Sequence, residues 1–213
     1  MKDIAVIGLG KFGYSLAVAY AEEGGSVLAI DTDEEKVQEI ADVVTYAARA
    51  DVADPEVVKN LGLENVDIAV IAITNNMEAA VMATILSKEL GVPEVIAKAN
   101  NEIHAKVLTK VGADRVIFPE KDMGIKLAKN ISLSKFTDII DLKDDFSIIE
   151  TKVPKNWVGK NLSELNPRKK YGFNVIAMRD GERLLVNLDP LEPFRQDTSI
   201  IVIGRNNLVE KVF

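Results

Sequence analysis

The segment Gly8-Leu9-Gly10-Lys11-Phe12-Gly13 places three glycines in a G-x-G-x-x-G spacing. It follows the apolar run Ile4–Ile7 and opens a stretch of helical character, the context in which this spacing is informative. Gly8 permits a tight turn, Gly10 lets the backbone approach a diphosphate, and Gly13 lets a helix pack closely on a sheet. The free N–H groups at the start of that helix, with the positive end of its dipole, suit an anion. Asp31 closes a second apolar run, Ala29-Ile30-Asp31, about 20 residues further on, the spacing at which a carboxylate meets ribose hydroxyls. Such a carboxylate repels a 2′-phosphate, so the pattern predicts an adenosine diphosphate moiety and disfavours NADP. NAD, ATP and ADP share that moiety, and the motif alone does not separate them. Lys11, beside the phosphate turn, suits additional phosphate charge; the bland reading is a solvated lysine on the first helical turn.

Other chemistry is thinly supplied. With no cysteine there is no disulfide, thiolate metal site or Cys nucleophile, which fits a reducing cytosol. The one histidine, His104, excludes a multi-His metal site and leaves a Ser-His-Asp triad dependent on one residue. Tyr14, Tyr20, Tyr46 and Tyr171 all lack a lysine four residues on, so there is no Tyr-x-x-x-Lys pair. The C-terminal third has neither His nor Cys to place a proton or hydride beside a nicotinamide. These gaps predict a protein that senses a nucleotide and is not an enzyme. The alternatives are an NAD-dependent oxidoreductase and a soluble NADH redox sensor. A sensor that reads DNA would need a helix-turn-helix or a basic domain, and the sequence has neither.

The elements that must position these residues alternate. The 213-residue chain is 47% hydrophobic and 28% charged, a globular balance with room for two small domains. Ile4–Ile7, Val27–Ile30, Val43–Tyr46, Ile68–Ile73, Val95–Ala97 and Val116–Phe118 are continuous apolar runs, as strands covered on both faces require. Between them lie helical stretches at 11–23, 33–41, 55–61, 76–90 and 101–111, the fourth stopped by Gly91 and Pro93. Alternation of this kind predicts an α/β fold with a doubly wound parallel sheet, Rossmann-like, over residues 1–137. A crossover helix is expected at about 121–133 and a small α+β domain over 138–213. That second domain would contain strands at 146–153, Phe173–Met178 and Ser199–Ile203, with a hairpin turn at Asp180-Gly181. Asp144-Asp145 reads as a solvated turn and Trp157 as packing or interface rather than ligand stacking.

Charge follows the same division. Residues 1–137 hold 14 basic and 21 acidic residues, and 138–213 hold 12 of each, so the net −7 belongs to the first part. No global positive field exists to draw in nucleic acid. The longest strongly apolar run, Ile68–Ile73, is far short of the roughly 20 residues a membrane span needs. The start of the chain has no signal-peptide pattern, so any action at a membrane is expected to pass through a partner rather than direct insertion.

Three further segments make the pattern more specific: Lys98-Ala99-Asn100 through His104-Ala105-Lys106-Val107-Leu108, then Gly112-Ala113-Asp114-Arg115-Val116-Ile117, then Pro119-Glu120-Lys121-Asp122-Met123-Gly124. With Asn166-Pro167-Arg168-Lys169-Lys170-Tyr171-Gly172 and Asp197–Gly204 in the second part, the chain resembles the KtrA/TrkA regulatory proteins of bacterial potassium uptake, built from RCK domains. The length of a single RCK unit is more similar to KtrA than to the longer TrkA. The resemblance implies that Asp31 binds ribose with Thr32 and Asp33 beside it, that Ala50 and Asp51 lie along the adenine, and that Ile73 and Thr74 close the fourth strand. It adds Lys98, Ala99, Asn100 and His104 after the fifth strand, and Glu120 where terminal phosphates and Mg²⁺ or another cation would meet. The family usually carries Arg at Lys11; lysine keeps the charge but loses the planar fork. In similar proteins the second domain often binds cyclic di-AMP, which would engage Leu162, Arg168, Asn174 and Pro190. The implied assembly is a homo-octameric ring of dimers. It would sit on the cytoplasmic face of a membrane potassium channel or transporter subunit of the KtrB/TrkH type, and gate it by ATP versus ADP, or by NAD and NADH.

Overall fold

The computed structural model describes residues 1–132, 136–142, 145–209 and 211–213. The chain forms two compact units, Met1–Asp122 and Met123–Phe213. The first begins with β1 (Ile4–Ile7), α1 (Lys11–Glu22), β2 (Val27–Asp31), α2 (Glu34–Ile40), β3 (Tyr46–Arg49), α3 (Pro55–Lys59) and β4 (Ile68–Ile71). It continues with α4 (Met77–Glu89), β5 (Glu94–Lys98), α5 (Glu102–Lys110) and β6 (Arg115–Ile117). Its six strands are all parallel, in the order β3-β2-β1-β4-β5-β6. β1 is flanked in register by both neighbours, Ile7 opposite Ile30 on one side and Ile71 on the other. All four residues of β1 are buried, as expected of a central strand covered by helices on both faces.

The strand order reverses at β1. Chain leaving β1 turns toward one face and chain leaving β4 toward the other, which opens a crevice at the carboxyl ends of the strands. Local signals set the helices that border it. Asp33, Asp54, Asn76 and Asn101 cap α2 to α5 through side-chain oxygens that accept backbone N–H groups. The third strand departs from the expected Val43–Tyr46. Val43 is exposed, and β3 runs Tyr46–Arg49 along the edge of the sheet. An edge strand has one neighbour and does not need a continuous apolar run, so apolarity misplaced its start.

The second unit carries an antiparallel sheet, ordered β10-β9-β11-β8-β7. Its strands are β7 (Phe136–Asp141), β8 (Phe146–Lys152), β9 (Asn174–Asp180), β10 (Arg183–Leu185) and β11 (Ser199–Arg205). Asp180 pairs with Arg183 across the expected hairpin turn at Asp180-Gly181. β7 and β10 have no counterpart among the expected strands. The helix α6 (Pro119–Ser132) precedes β7, while α7 (Leu162–Leu165), α8 (Pro167–Tyr171) and α9 (Asn206–Val209) are single turns. Leu133, the expected end of the crossover helix, and Asp144 lie outside the described residues. Trp157 is 1% exposed and packs against Tyr171, Phe173, Phe194 and Phe213, with ring centroids 5.8 to 6.2 Å away. It is a core residue of this unit, the packing role expected of it.

Two glycines of the first turn have geometric reasons to be glycine. Gly8 has φ +100°, and a Cβ there would stand 3.0 Å from Ile73. A Cβ on Gly13 would fall 1.9 Å from the Gly8 carbonyl oxygen, a backbone atom that cannot move aside. Gly10, by contrast, has nothing within 4 Å of its added Cβ. We predict that Gly13→Ala costs about 3 kcal/mol or more by overpacking. Gly10→Ala, which loses only a tolerant helix N-cap, should cost about 1 kcal/mol or less. Thermal unfolding of the two variants side by side checks this; equal shifts would refute it.

Candidate functional site

A cleft of about 360 Å³ opens over the carboxyl ends of β1, β2 and β4. Gly8 and Gly10 form its floor, Asp31 and Thr32 one side, Ala50 and Asp51 the far end, and Ile73 and Thr74 the opposite wall. Eight of the residues singled out from the sequence therefore meet in one concavity. Asp31 is central. Its Oδ2 accepts the Leu9 N–H at 2.6 Å, and its Oδ1 accepts the Asp33 N–H at 2.9 Å. Lys36 lies 3.6 Å away. Asp33 spends its own side chain on the Glu35 N–H at the start of α2.

Lys36 lines the cleft and was not among the expected residues; Asn75 and Asn76 line it too. Lys36 stands on the first turn of α2, five residues after Asp31, where its chain returns over the end of β2. That spacing is the only sequence signal it offers, and an exposed lysine on a helix is usually unremarked.

The remaining residues form a neighbouring cluster and do not line the cleft. Lys98, at the end of β5, is 7% exposed and gives its ammonium to Glu120 at 2.5 Å. The same ammonium lies 5.6 Å from the Phe12 ring centroid, close enough for a cation–π contact. The hydrogen bond from Lys98 holds the Glu120 carboxyl below the usual carboxylate range. Ala99 is buried, its N–H donating to the Ile117 carbonyl at 2.9 Å. Asn100 joins cluster and cleft, donating from Nδ2 to the Thr74 carbonyl at 3.1 Å. Lys11 projects from the first turn of α1 and is exposed, and Gly13 is buried beneath that turn.

One chain does not furnish a divalent-cation site at Glu120. Its carboxylate is engaged by Lys98, and among the described residues no group of three or more His, Cys, Asp or Glu could hold a metal. In the second unit, the Ser163 N–H donates to the Pro190 carbonyl at 3.1 Å, which brings the start of α7 beside Pro190. Leu162 is half-buried there, while Arg168 on α8 and Asn174 at the start of β9 are exposed.

A six-stranded parallel sheet, a glycine turn opening a helix and a carboxylate ending the second strand together define a nucleotide-binding domain of the Rossmann type. Residues 4–119 match the TrkA-N domain and 147–213 the TrkA-C domain. The chain is 41% identical over 203 residues to the Ktr system potassium uptake protein C of Bacillus subtilis (strain 168), covering 95% of this chain and 92% of that one. To protein A of the same system and organism it is 36% identical over 210 residues, covering 99% and 95%. A structure of the GsuK channel bound to NAD superposes with a TM-score of 0.58 at 14% identity, covering 97% of this chain and 38% of that longer one. The chain belongs to the KtrA/TrkA family of potassium-uptake regulatory proteins, and its two-part architecture is that of an RCK unit. Among the described residues no helix is long and apolar enough to cross a membrane.

His104 is a buried titratable group of this region. It is 3% exposed, and its Nε2 has no hydrogen-bond partner. The Asn100 N–H points at Nδ1 from a long 3.5 Å, and burial pushes the imidazole below its ordinary value of 6.5. A depressed folded value means the unfolded chain takes up the proton first. The stability tied to neutral His104 is therefore full above the unfolded value and lost as pH falls below it. We predict that the melting temperature drops between about pH 7.5 and about pH 5.5, and drops less in His104→Gln. Parallel curves for the two proteins would remove His104 as the cause.

Proposed function

We propose that this protein is a cytosolic nucleotide-sensing subunit that regulates a membrane potassium channel or transporter and carries out no reaction of its own. The observation that carries this reading is the cleft at the strand-order reversal, where the N-terminus of α1 and the Asp31 carboxylate face one concavity. The α1 N–H groups and Gly10 suit a diphosphate, and Asp31 keeps lone pairs for ribose hydroxyls. Ala50, Asp51, Ile73 and Thr74 then border the base. The NAD held by the GsuK channel supports a nucleotide as the ligand class. ADP, ATP, NAD and NADH are the candidates.

Lys11 and the Lys98–Glu120 pair would report on a terminal phosphate. The family relationship supports a homo-oligomer, which we take to be an octameric ring of dimers, with a KtrB/TrkH-type subunit as membrane partner. We assign residues 1–137 to nucleotide sensing and 138–213 to dimerisation and a second ligand, cyclic di-AMP, near Leu162, Arg168, Asn174 and Pro190. Moving a gate from 1:99 to 99:1 takes about 5.5 kcal/mol of differential binding, or about 0.7 kcal/mol for each of eight sites. A single charge matched or left unmatched at the cleft is enough at that scale. The donor set of one chain does not suit Mg²⁺, so no step is assigned to a cation.

Calorimetric titration of the purified full chain with ADP, ATP, NAD and NADH is the test. Saturable binding of at least one is expected. Lys11→Ala should weaken ATP more than ADP, because a longer phosphate chain has more charge to lose. No binding of any of the four would overturn the reading, and steady NADH oxidation would return it to an oxidoreductase.

A further inference from the structure

The nucleotide cleft does not end at Asp51. A second cavity, of about 390 Å³, opens beside it, lined by Thr32, Arg49, Ala50, Asp51 and Val57. Thr32, Ala50 and Asp51 line both spaces, so the two share a wall built from the ends of β2 and β3. Arg49 is the last residue of β3 and is not used by anything described so far. Its Nε donates to the Thr32 carbonyl at 3.2 Å, which fixes the root of the guanidinium against that wall. A carboxylate, Glu34, stands 3.9 Å from it, and both side chains are more than half exposed. Such a pair is weak in water and yields readily to a better partner.

The chemistry of this wall favours a neutral ring over an anion. Four carboxylates, Asp31, Asp33, Glu34 and Asp51, surround two cations, Lys36 and Arg49. A phosphate would meet net negative charge. A heterocycle with a donor beside an acceptor would meet both complements. Asp51 presents an acceptor, held in place as its Oδ1 takes the Ala53 N–H at 2.9 Å. Arg49, two residues away, lines the same space, and with its Nε on Thr32 its guanidinium still has terminal N–H donors to offer. The major-groove edge of adenine carries its 6-amino donor beside the N7 acceptor. The same edge of guanine carries two acceptors, O6 and N7, and would aim one of them at a carboxylate.

The geometry points to Arg49 as a base-reading residue of this site: its guanidinium donates to N7 of an adenine whose 6-amino group donates to Asp51. The inference rests on the cleft being a nucleotide site, and it adds a specificity role that the glycine turn and Asp31 do not supply. Arg49 is an exposed edge residue, so replacing it should leave the fold intact.

The probe is ADP against 7-deaza-ADP, in which N7 is replaced by C–H, titrated into the full chain by calorimetry. Wild-type protein should bind the deaza ligand more weakly by about tenfold or more, the scale of one lost charge-assisted hydrogen bond. Arg49→Ala should bind ADP that much more weakly and distinguish the two ligands by less than about twofold, since N7 then has no donor to lose. GDP should bind wild type more weakly than ADP. If N7 is silent in the wild type, or matters equally in both proteins, Arg49 does not read the base and the nucleotide reading survives alone. If the wild type binds no ADP, the Arg49 inference falls, and the nucleotide reading falls with it only when ATP, NAD and NADH do not bind either. Should Arg49→Ala not fold, the wild-type comparison of the two ligands still decides.

Discussion

One carboxylate ties together the parts of the site that must not move relative to each other. Asp31 ends β2, yet its Oδ2 holds the Leu9 N–H of the glycine turn that follows β1. Its Oδ1 holds the Asp33 N–H where α2 begins, and Lys36 balances the charge from 3.6 Å. The side chain is only 10% exposed, so these contacts are shielded from competing water. Charge-assisted bonds of this kind are stronger than neutral ones, and here they join two loops at the point where the sheet reverses order. A cleft whose walls are already tied pays less ordering entropy when it closes on a ligand.

The tie works only because the turn beneath it is so compact. The Gly8 carbonyl occupies the space that a side chain at residue 13 would need. That approach seats the start of α1 against Ala72, just beyond the end of β4, and brings the helix N-terminus over the cleft. Close packing, the dipole and the Asp31 bond are thus one arrangement, which is why the three glycines and one aspartate are legible as a set.

Much of the fold was legible because burial on two faces writes itself as apolar runs. β1, β2, β4 and β5 lie inside the parallel sheet, and their Val, Ile and Ala residues announce them. β3 and β10 are edge strands with exposed residues such as Tyr46 and Leu184, where apolarity misplaces or hides a strand. β7 shifts register between Phe136 and Asp138 and forms through its backbone ladder to β8, which no composition signal reports. The site divides the same way. Gly8, Gly10 and Asp31 follow from motif spacing, whereas Thr32, Ala50, Asp51, Ile73 and Thr74 in the cleft, and Lys98, His104 and Glu120 beside it, came only from resemblance to a family. Lys36 and Arg49 were missed altogether, because an exposed cation has no periodicity and gains meaning only from what stands beside it.

The cluster next to the cleft joins the glycine turn to the start of α6 through direct contacts. Phe12, on the first turn of α1, lies under the Lys98 ammonium, and Lys98 in turn holds Glu120 at the start of α6. The pair is asymmetric: the Lys98 side chain is 9% exposed and that of Glu120 is 70% exposed. Removing the carboxylate would leave a buried ammonium without its counter-charge, whereas removing the lysine would leave a solvated carboxylate. Glu120 is therefore free to be drawn toward a different charge only if Lys98 finds a new partner at the same moment. The Glu120 carboxyl sits below its usual range because of Lys98, so the contact is intact above the ordinary carboxylate value and is lost as pH falls through the depressed one. Near neutrality the acid stays charged, so protonation does not break the Lys98–Glu120 contact there.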